Sequence, residues 1–215
     1  MRVLAIDTTG PACSIALADF GESESVRGCI VELMQRGHAE ALVPMLDRLF
    51  VEAGVAAKSV ERIAVTVGPG SFTGLRVGVS AARALALALD VPAVGVSVFE
   101  AIRESLGDQA PPFAVALDAR RDEIYLQDFP AAGQAAKPVV VSLQDAAGMI
   151  PPDCHIVGTA AALLGKDRGL EVFPLDPVAV ARAGSRLDPA LSPPRPLYLR
   201  KPDAKPQAHA RIARV

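Results

Sequence analysis

The chain has 215 residues, which suffices for one large domain or for two domains of roughly 100 residues each. Hydrophobic residues make up 51% of the sequence and charged residues 21%, a balance that argues against an intrinsically disordered protein. The net charge of −2 argues against the broad basic face of a protein that binds nucleic acid without a partner.

Strands and helices alternate along the first half of the chain, which is typical of an α/β protein. The first long helix carries apolar residues at helical spacing, from Leu42 to Ala53. The run at 62–67 is apolar throughout and predicts a strand buried on both faces. The pattern predicts strands at 3–6, 14–18, 28–35, 62–67 and 91–96, and helices at 38–53, 75–89 and 97–106.

The second half repeats the opening of the first. Each begins with an apolar strand that ends in aspartate, at Asp7 and at Asp118, followed by a turn and a second strand. The repeat predicts two similar α/β lobes, and the frequent prolines after 173 predict only short elements there. The second-half elements are predicted at 113–117, 123–129, 155–158 and 159–164, and the domains at 1–105 (N-terminal lobe), 106–200 (smaller C-terminal lobe) and 201–215 (flexible basic tail).

The cysteines and the hydropathy pattern indicate where the protein works. Three cysteines, an odd number without a CxxC motif, favour reduced thiols over disulfides or a zinc site. No uncharged apolar stretch of 18 residues occurs, so we expect a cytoplasmic protein without a membrane segment. The basic tail is interpreted as a frayed end, or alternatively as a handle for RNA or an acidic partner.

Two groups of residues are candidates for a nucleotide cleft. The glycine-rich turn 68–74 connects a strand to a helix, where phosphates bind, although it lacks the lysine of a Walker A loop. Asp7 and Asp118 end strands at the edge where α/β sheets bind ligands and metals. The alternative is a tight connection with two turn-capping aspartates. The cleft candidates are Asp7, Thr8, Gly68, Gly70 and Asp118.

Metal and nucleophile motifs are absent from the sequence. His38 has no second histidine one helical turn later, because position 42 is Leu42. There is no G-x-S-x-G nucleophile elbow either. We therefore expect no catalytic residues and no metal ligands.

Five segments, in order along the chain, resemble the TsaB family, also called YeaZ. They are 6–9, 12–17, the glycine-rich GPGSFTGLRVG at 68–78, DARRDEIY at 118–125 and PLYLR at 196–200. The resemblance implies a two-lobed actin/hexokinase/Hsp70-like (ASKHA) fold. It also implies a part in forming N6-threonylcarbamoyladenosine next to the anticodon of tRNAs that read codons starting with A.

The resemblance implies a non-catalytic role, and partners that supply the chemistry. The paralogue TsaD carries the metal on an H-x-x-x-H helix, and Leu42 replaces the second histidine here. TsaD is the expected heterodimer partner, TsaE joins through that complex, and TsaC supplies the threonylcarbamoyl-adenylate. This chain itself is expected to need no cofactor, since ATP and metal belong to partner subunits, and to meet tRNA only within the complex.

The helices 38–53 and 74–89 are predicted to bind TsaD, or a second copy when the chain is alone. The alternative for this face is that part of it is simply core. Two other functions stay open: an ATP-binding phosphohydrolase or phosphotransferase of the ASKHA fold, and a glycoprotease-like metallopeptidase. The predicted interface residues are His38, Leu42, Leu46, Leu49, Arg76, Gly78, Val79, Ala82 and Leu85.

Overall fold

A computed structural model describes residues 1–107, 110–130, 134–151, 154–165 and 172–200. The predicted tail at 201–215 lies outside these residues. Two β-sheets, each with helices, confirm the α/β class.

The first sheet has five strands in the order β3-β2-β1-β4-β5. Strand β1 pairs antiparallel with β2 and parallel with β4, and β5 extends the parallel side. The elements of this lobe are β1 (Arg2–Asp7), β2 (Ala12–Phe20), β3 (Glu24–Leu33), α1 (His38–Ala53), β4 (Arg62–Thr66), α2 (Phe72–Leu89), β5 (Ala93–Val96) and α3 (Val98–Leu106).

The second sheet has four strands in the order β8-β7-β6-β9. Its first strand again pairs antiparallel with the next and parallel with a later strand, so the topology confirms the predicted repeat. The remaining elements are β6 (Phe113–Asp118), β7 (Glu123–Phe129), β8 (Val139–Ser142), α4 (Leu143–Met149), β9 (His155–Val157) and α5 (Pro177–Arg186). Sequence reasoning missed β8 and α4, which are short.

The expectation of only short elements after residue 173 is wrong, because α5 is a ten-residue helix. Pro177 stands at its first turn, where a missing N–H costs nothing, and the Asp176 side chain accepts the Val178 N–H. At the other end the Arg62 guanidinium donates to three carbonyl oxygens, of Gly184, Ser185 and Leu187. These bonds satisfy groups that a helix end leaves open.

Helix α5 also belongs by its packing to the first lobe, not to the predicted second lobe. It packs on β1, β2 and β4 of the first sheet, although its sequence position lies within the predicted second lobe. Its Arg182 forms a two-pronged ion pair with Glu24 on β3, at 2.6 and 2.7 Å. One face of the first sheet is thus covered by α1 and α2, and the other by α3 and α5. The boundary at 105/106 therefore does not follow the packing.

Substitution of Gly184 tests the close packing of α5 on the first sheet. A Cβ at this position would collide with the Cβ of Ala64, so Gly184→Ala must push the helix away from β4. We expect the free energy of unfolding in urea to fall by about 1–3 kcal/mol, as overpacking of a core does. Gly148→Ala in α4 is the matched control, because its Cβ meets open space. Higher helix propensity should stabilise that control by up to about 1 kcal/mol. A stabilising Gly184→Ala would contradict this packing.

Candidate functional site

The two repeat-related aspartates form the same turn. The Asp7 Oδ1 atom accepts the backbone N–H of Thr9 at 3.0 Å, and the Asp118 Oδ1 atom accepts that of Arg120 at 2.7 Å. Asp7 is buried and also accepts hydroxyl bonds from Thr9 (2.7 Å) and Thr66 (2.6 Å). Both carboxylates therefore make the hydrogen bonds that the turn-capping alternative predicts.

The glycine-rich loop packs on the turn that follows β1. The Ser71 N–H donates to the Thr9 carbonyl at 2.8 Å, and the Thr8 hydroxyl donates to the Gly74 carbonyl at 2.7 Å. A Cβ on Gly70 or on Gly74 would collide with the carbonyl oxygen of Thr9 or of Thr8. The missing side chains of these two glycines thus make room for the chain's own backbone.

Gly68 has a different reason to be glycine. Its φ of +106° lies in a region that L side chains rarely adopt. Together with the turn contacts, this accounts for the cleft candidates Asp7, Thr8, Gly68, Gly70 and Asp118 without a phosphate. A nucleotide in this cleft stays a prediction.

His38 and Cys13 lie buried near the start of α1 and in β2. The His38 Nε2 atom has no hydrogen-bond partner among the residues that the structure describes. Within those residues no three side chains of His, Cys, Asp or Glu group as metal ligands. Burial, aided by the charges of Asp7 and Glu32, raises the pKa of Cys13 to about 12. A thiol that stays protonated at neutral pH is a poor nucleophile.

The thiol prediction is tested by labelling a Cys29→Ser/Cys154→Ser variant, which keeps only Cys13. At pH 8 the native variant should not react with an aromatic disulfide reagent, because Cys13 is buried and its pKa is far above the solution pH. One thiol should react after unfolding in guanidinium. Rapid labelling of the folded protein, whose integrity circular dichroism verifies, would contradict the placement of Cys13.

The predicted interface residues lie largely on the wrong side of their helices. Five of them form, with Leu4, Ile6 and Val65, the core between the first sheet and its two helices: Leu42, Leu46, Leu49, Val79 and Ala82. Gly78 is buried against the Thr8 side chain, Leu85 is half-buried and Arg76 is exposed. A helix that is apolar on one face normally turns that face to its own sheet, which is why the stripe is core. The buried members are His38, Leu42, Leu46, Leu49, Gly78, Val79 and Ala82.

The outer faces of the same helices are also apolar. A cleft of about 510 Å³ lies between them, lined by Ala39 and Val43 of α1 and by Val77 and Ala81 of α2. Val43 is 67% exposed, and Leu87, further along α2, is 86% exposed. We call this the α1–α2 groove. By length and composition α2 would be apolar enough to span a membrane, a test that core helices also pass.

An aromatic and cationic cluster stands at one end of the groove. The Arg76 guanidinium carbon lies 3.9 Å from the ring centre of Phe72, and Arg76 Nε donates to the Tyr198 hydroxyl at 3.4 Å. The two rings are 5.9 Å apart, and both side chains are more than half exposed. Residue types of this kind dominate the energetics of protein interfaces. Tyr198 was not among the predicted interface residues, although PLYLR belonged to the resemblance.

Comparison with known proteins agrees with this fold. Residues 16–167 match the family model described as "TsaD: tRNA N6-adenosine threonylcarbamoyltransferase", and this match defines the class of protein. The structure of YeaZ from Pseudomonas aeruginosa is similar at a TM-score of 0.72 and 27% identity, covering 92% of this chain and 99% of that one.

Curated relatives show which branch of this family the chain resembles. The tRNA threonylcarbamoyladenosine biosynthesis protein TsaB of Haemophilus influenzae is 37% identical over 127 residues, which are 58% of this chain and 52% of that protein. TsaB of Escherichia coli is 34% identical over 131 residues, 60% of this chain and 55% of that protein. These matches span about half the length of the two relatives. The chain belongs to the TsaB (YeaZ) branch of this family.

An uncharacterized protein of Mycobacterium tuberculosis matches over a greater length. It is 34% identical over an alignment of 215 positions, which covers 96% of this chain and 95% of that protein. The likeness to this relative therefore includes the second lobe.

Proposed function

We propose that this chain is a non-catalytic subunit that binds and activates a TsaD-type transferase in the synthesis of N6-threonylcarbamoyladenosine on tRNA. The exposed apolar α1–α2 groove, on a chain of the TsaB branch, is the observation that carries the proposal. Relatives named for threonylcarbamoyladenosine biosynthesis support the pathway. The duplicated sheet topology and the likeness to YeaZ support an ASKHA-like fold.

The absence of a catalytic role is supported by the chemistry of α1. His38 is the sole histidine on that helix, and Leu42 takes the position one turn later and packs into the core. One imidazole is too few ligands for a catalytic metal, which normally has three protein ligands. In this proposal the metal and ATP belong to partners, TsaD and TsaE, TsaC supplies the activated threonylcarbamoyl group, and tRNA is met within the complex.

No specific observation favours either alternative function, the ATP-binding phosphohydrolase or phosphotransferase or the metallopeptidase. The glycine-rich loop and the two aspartates are accounted for by contacts within the chain. The described residues hold no cluster of metal-ligating side chains that would favour a peptidase.

A substitution in the α1–α2 groove tests whether the transferase binds there. Val43→Glu places a carboxylate in the groove at a side chain that is 67% exposed, so the fold should survive. Covered by an apolar partner surface, an unpaired charge costs several kcal/mol. We expect affinity for the cognate transferase, measured by calorimetry, to fall by at least about a hundredfold, which corresponds to about 2.8 kcal/mol. Activation of threonylcarbamoyladenosine formation should fall in parallel.

Leu191→Glu serves as the control, because Leu191 is equally apolar, highly exposed and outside the groove. It should bind the transferase like the wild type. Leu46→Glu is unsuitable, since Leu46 is buried and its substitution would unfold the chain. Transferase binding that tolerates Val43→Glu, with a native circular dichroism spectrum, would refute this placement of the partner.

A further inference from the structure

A second cavity lies on the α3–α5 side of the first sheet, between these two helices and the segment 191–197. Its volume is about 530 Å³, which is within the range of pockets that hold small organic molecules. Val67, directly after β4, and Val96, the last residue of β5, form part of its wall. The cavity therefore lies at the carboxyl ends of two parallel strands, where α/β proteins usually bind ligands. We call it the α3–α5 cavity.

The segment 191–197 forms the outer wall of this cavity and is held on the edge of the sheet. The Gly95 N–H donates to the Ser192 carbonyl at 2.9 Å, and the Leu197 N–H donates to the Val67 carbonyl at 2.7 Å. A Cβ on Gly95 would collide with the Val67 side chain and crowd the backbone of the segment. Three of its seven residues are prolines, whose rings fix φ. The cavity is therefore shaped before a ligand binds, which lowers the entropy cost of binding.

The interior of the α3–α5 cavity is aliphatic. Among the described residues, its lining contains no aromatic ring. A hydrocarbon group would be favourably buried here, because burial removes apolar surface from water. A nucleotide base, by contrast, would find no ring on which to stack. The apolar side chains of the wall include those of Val67, Val96, Ala183, Leu187 and Leu197.

The polar part of the lining carries two acids and three arginines. Arg103 bridges the acids, since its Nε donates to Glu100 at 2.9 Å and its Nη2 donates to Glu104 at 3.0 Å. The Glu104 side chain is only 5% exposed and also accepts from Nη1 of Arg186 at 3.0 Å. With Arg195, three cations stand against two carboxylates, which leaves one positive charge in excess.

Arg195 is the cation whose charge is not balanced. Among the residues that the structure describes, no carboxylate lies within 4.0 Å of its guanidinium. Arg186 is 57% exposed, and no hydrogen bond within the described part of the chain uses its Nε or Nη2. Guanidinium groups bind carboxylates through paired N–H donors. A ligand with one carboxylate would balance the excess charge, whereas a nucleotide with several phosphate charges would exceed it.

We infer that the α3–α5 cavity binds a small aliphatic carboxylate, with the carboxylate on Arg195 and Arg186 and the hydrocarbon chain against the aliphatic wall. The inference goes beyond the proposed function, because this cavity shares no lining residue with the α1–α2 groove. The wall supplies affinity in proportion to the chain length of the ligand, and the arginines select its charge.

Calorimetry with hexanoate, octanoate and decanoate tests the inference. We expect one site per chain and an affinity that rises about fourfold with each methylene that the cavity buries. Octan-1-ol should bind at least about tenfold more weakly than octanoate, because it lacks the charge that Arg195 binds. The backbone amide shifts that octanoate causes, measured by NMR, should concentrate at Gly95, Ser97 and Leu197.

Arg195→Gln removes the unbalanced charge from the cavity. It should weaken octanoate binding at least about tenfold and leave the fold intact, because the Arg195 side chain is exposed. Arg83→Gln is the matched control, since Arg83 is also exposed but lies on α2, outside the cavity. This control should bind octanoate like the wild type, and circular dichroism verifies that both variants are folded.

Four results would overturn the inference: no saturable binding of any of the three acids, equal affinity for octanoate and octan-1-ol, amide shifts outside the cavity, or an Arg195→Gln variant that binds octanoate as tightly as the wild type. Transferase binding is measured separately on the Val43→Glu variant, whose substitution lies outside this cavity. Failure of the proposed function and failure of this inference are therefore distinguishable.

Discussion

The contact between the Thr8–Thr9 turn and the glycine-rich loop is the constraint on which the outer surface depends. The backbone of the turn occupies the space that side chains at Gly70 and Gly74 would need, and Ser71 caps α2 at this point. The contact fixes where α2 begins relative to β1. Helix α1 packs on the same face of the sheet. The contact between the turn and the glycine-rich loop therefore also sets the distance between α1 and α2. Residues that resemble a phosphate loop thereby position α2, one of the two helices that border the α1–α2 groove.

The spacing of apolar residues predicts most strands and helices of the first lobe, because each of these segments follows one pattern, either that of a strand or that of a helix. Helix α1 begins and ends where its apolar spacing indicates, and the strand–aspartate repeat gave the relation between the sheets. The sequence pattern does not predict helix α5, because prolines usually interrupt a helix. Pro177 opens that helix instead, and the helix is stabilised by Arg62 and by strands β1, β2 and β4, which are more than 110 residues away in sequence. A local pattern cannot contain such distant contacts.

The sequence does not distinguish the buried from the exposed face of the two helices on which it places the candidate interface. The sequence predicts an interface on α1 and α2, but Leu42, Leu46 and Val79 of these helices face the sheet. Helix α2 is apolar on both sides, so its sequence alone does not distinguish the core stripe from the surface stripe. Tyr198 reaches Arg76 across 122 residues of sequence, a contact that only the folded chain creates. For Asp7 and Asp118, the same residue type suits a turn and a metal, and only the folded chain shows that both carboxylates accept the N–H groups of their turns.

The return of α5 to the first sheet has a consequence for synthesis on the ribosome. The face of β1, β2 and β4 that α5 covers is made first, yet its cover is translated more than 100 residues later. Val3, Ala5 and Ala64 therefore remain without their native neighbours while the second lobe emerges. During that interval the nascent chain exposes an apolar sheet face, which is a surface that chaperones bind and that favours aggregation. The first lobe is therefore complete only after α5 has been translated.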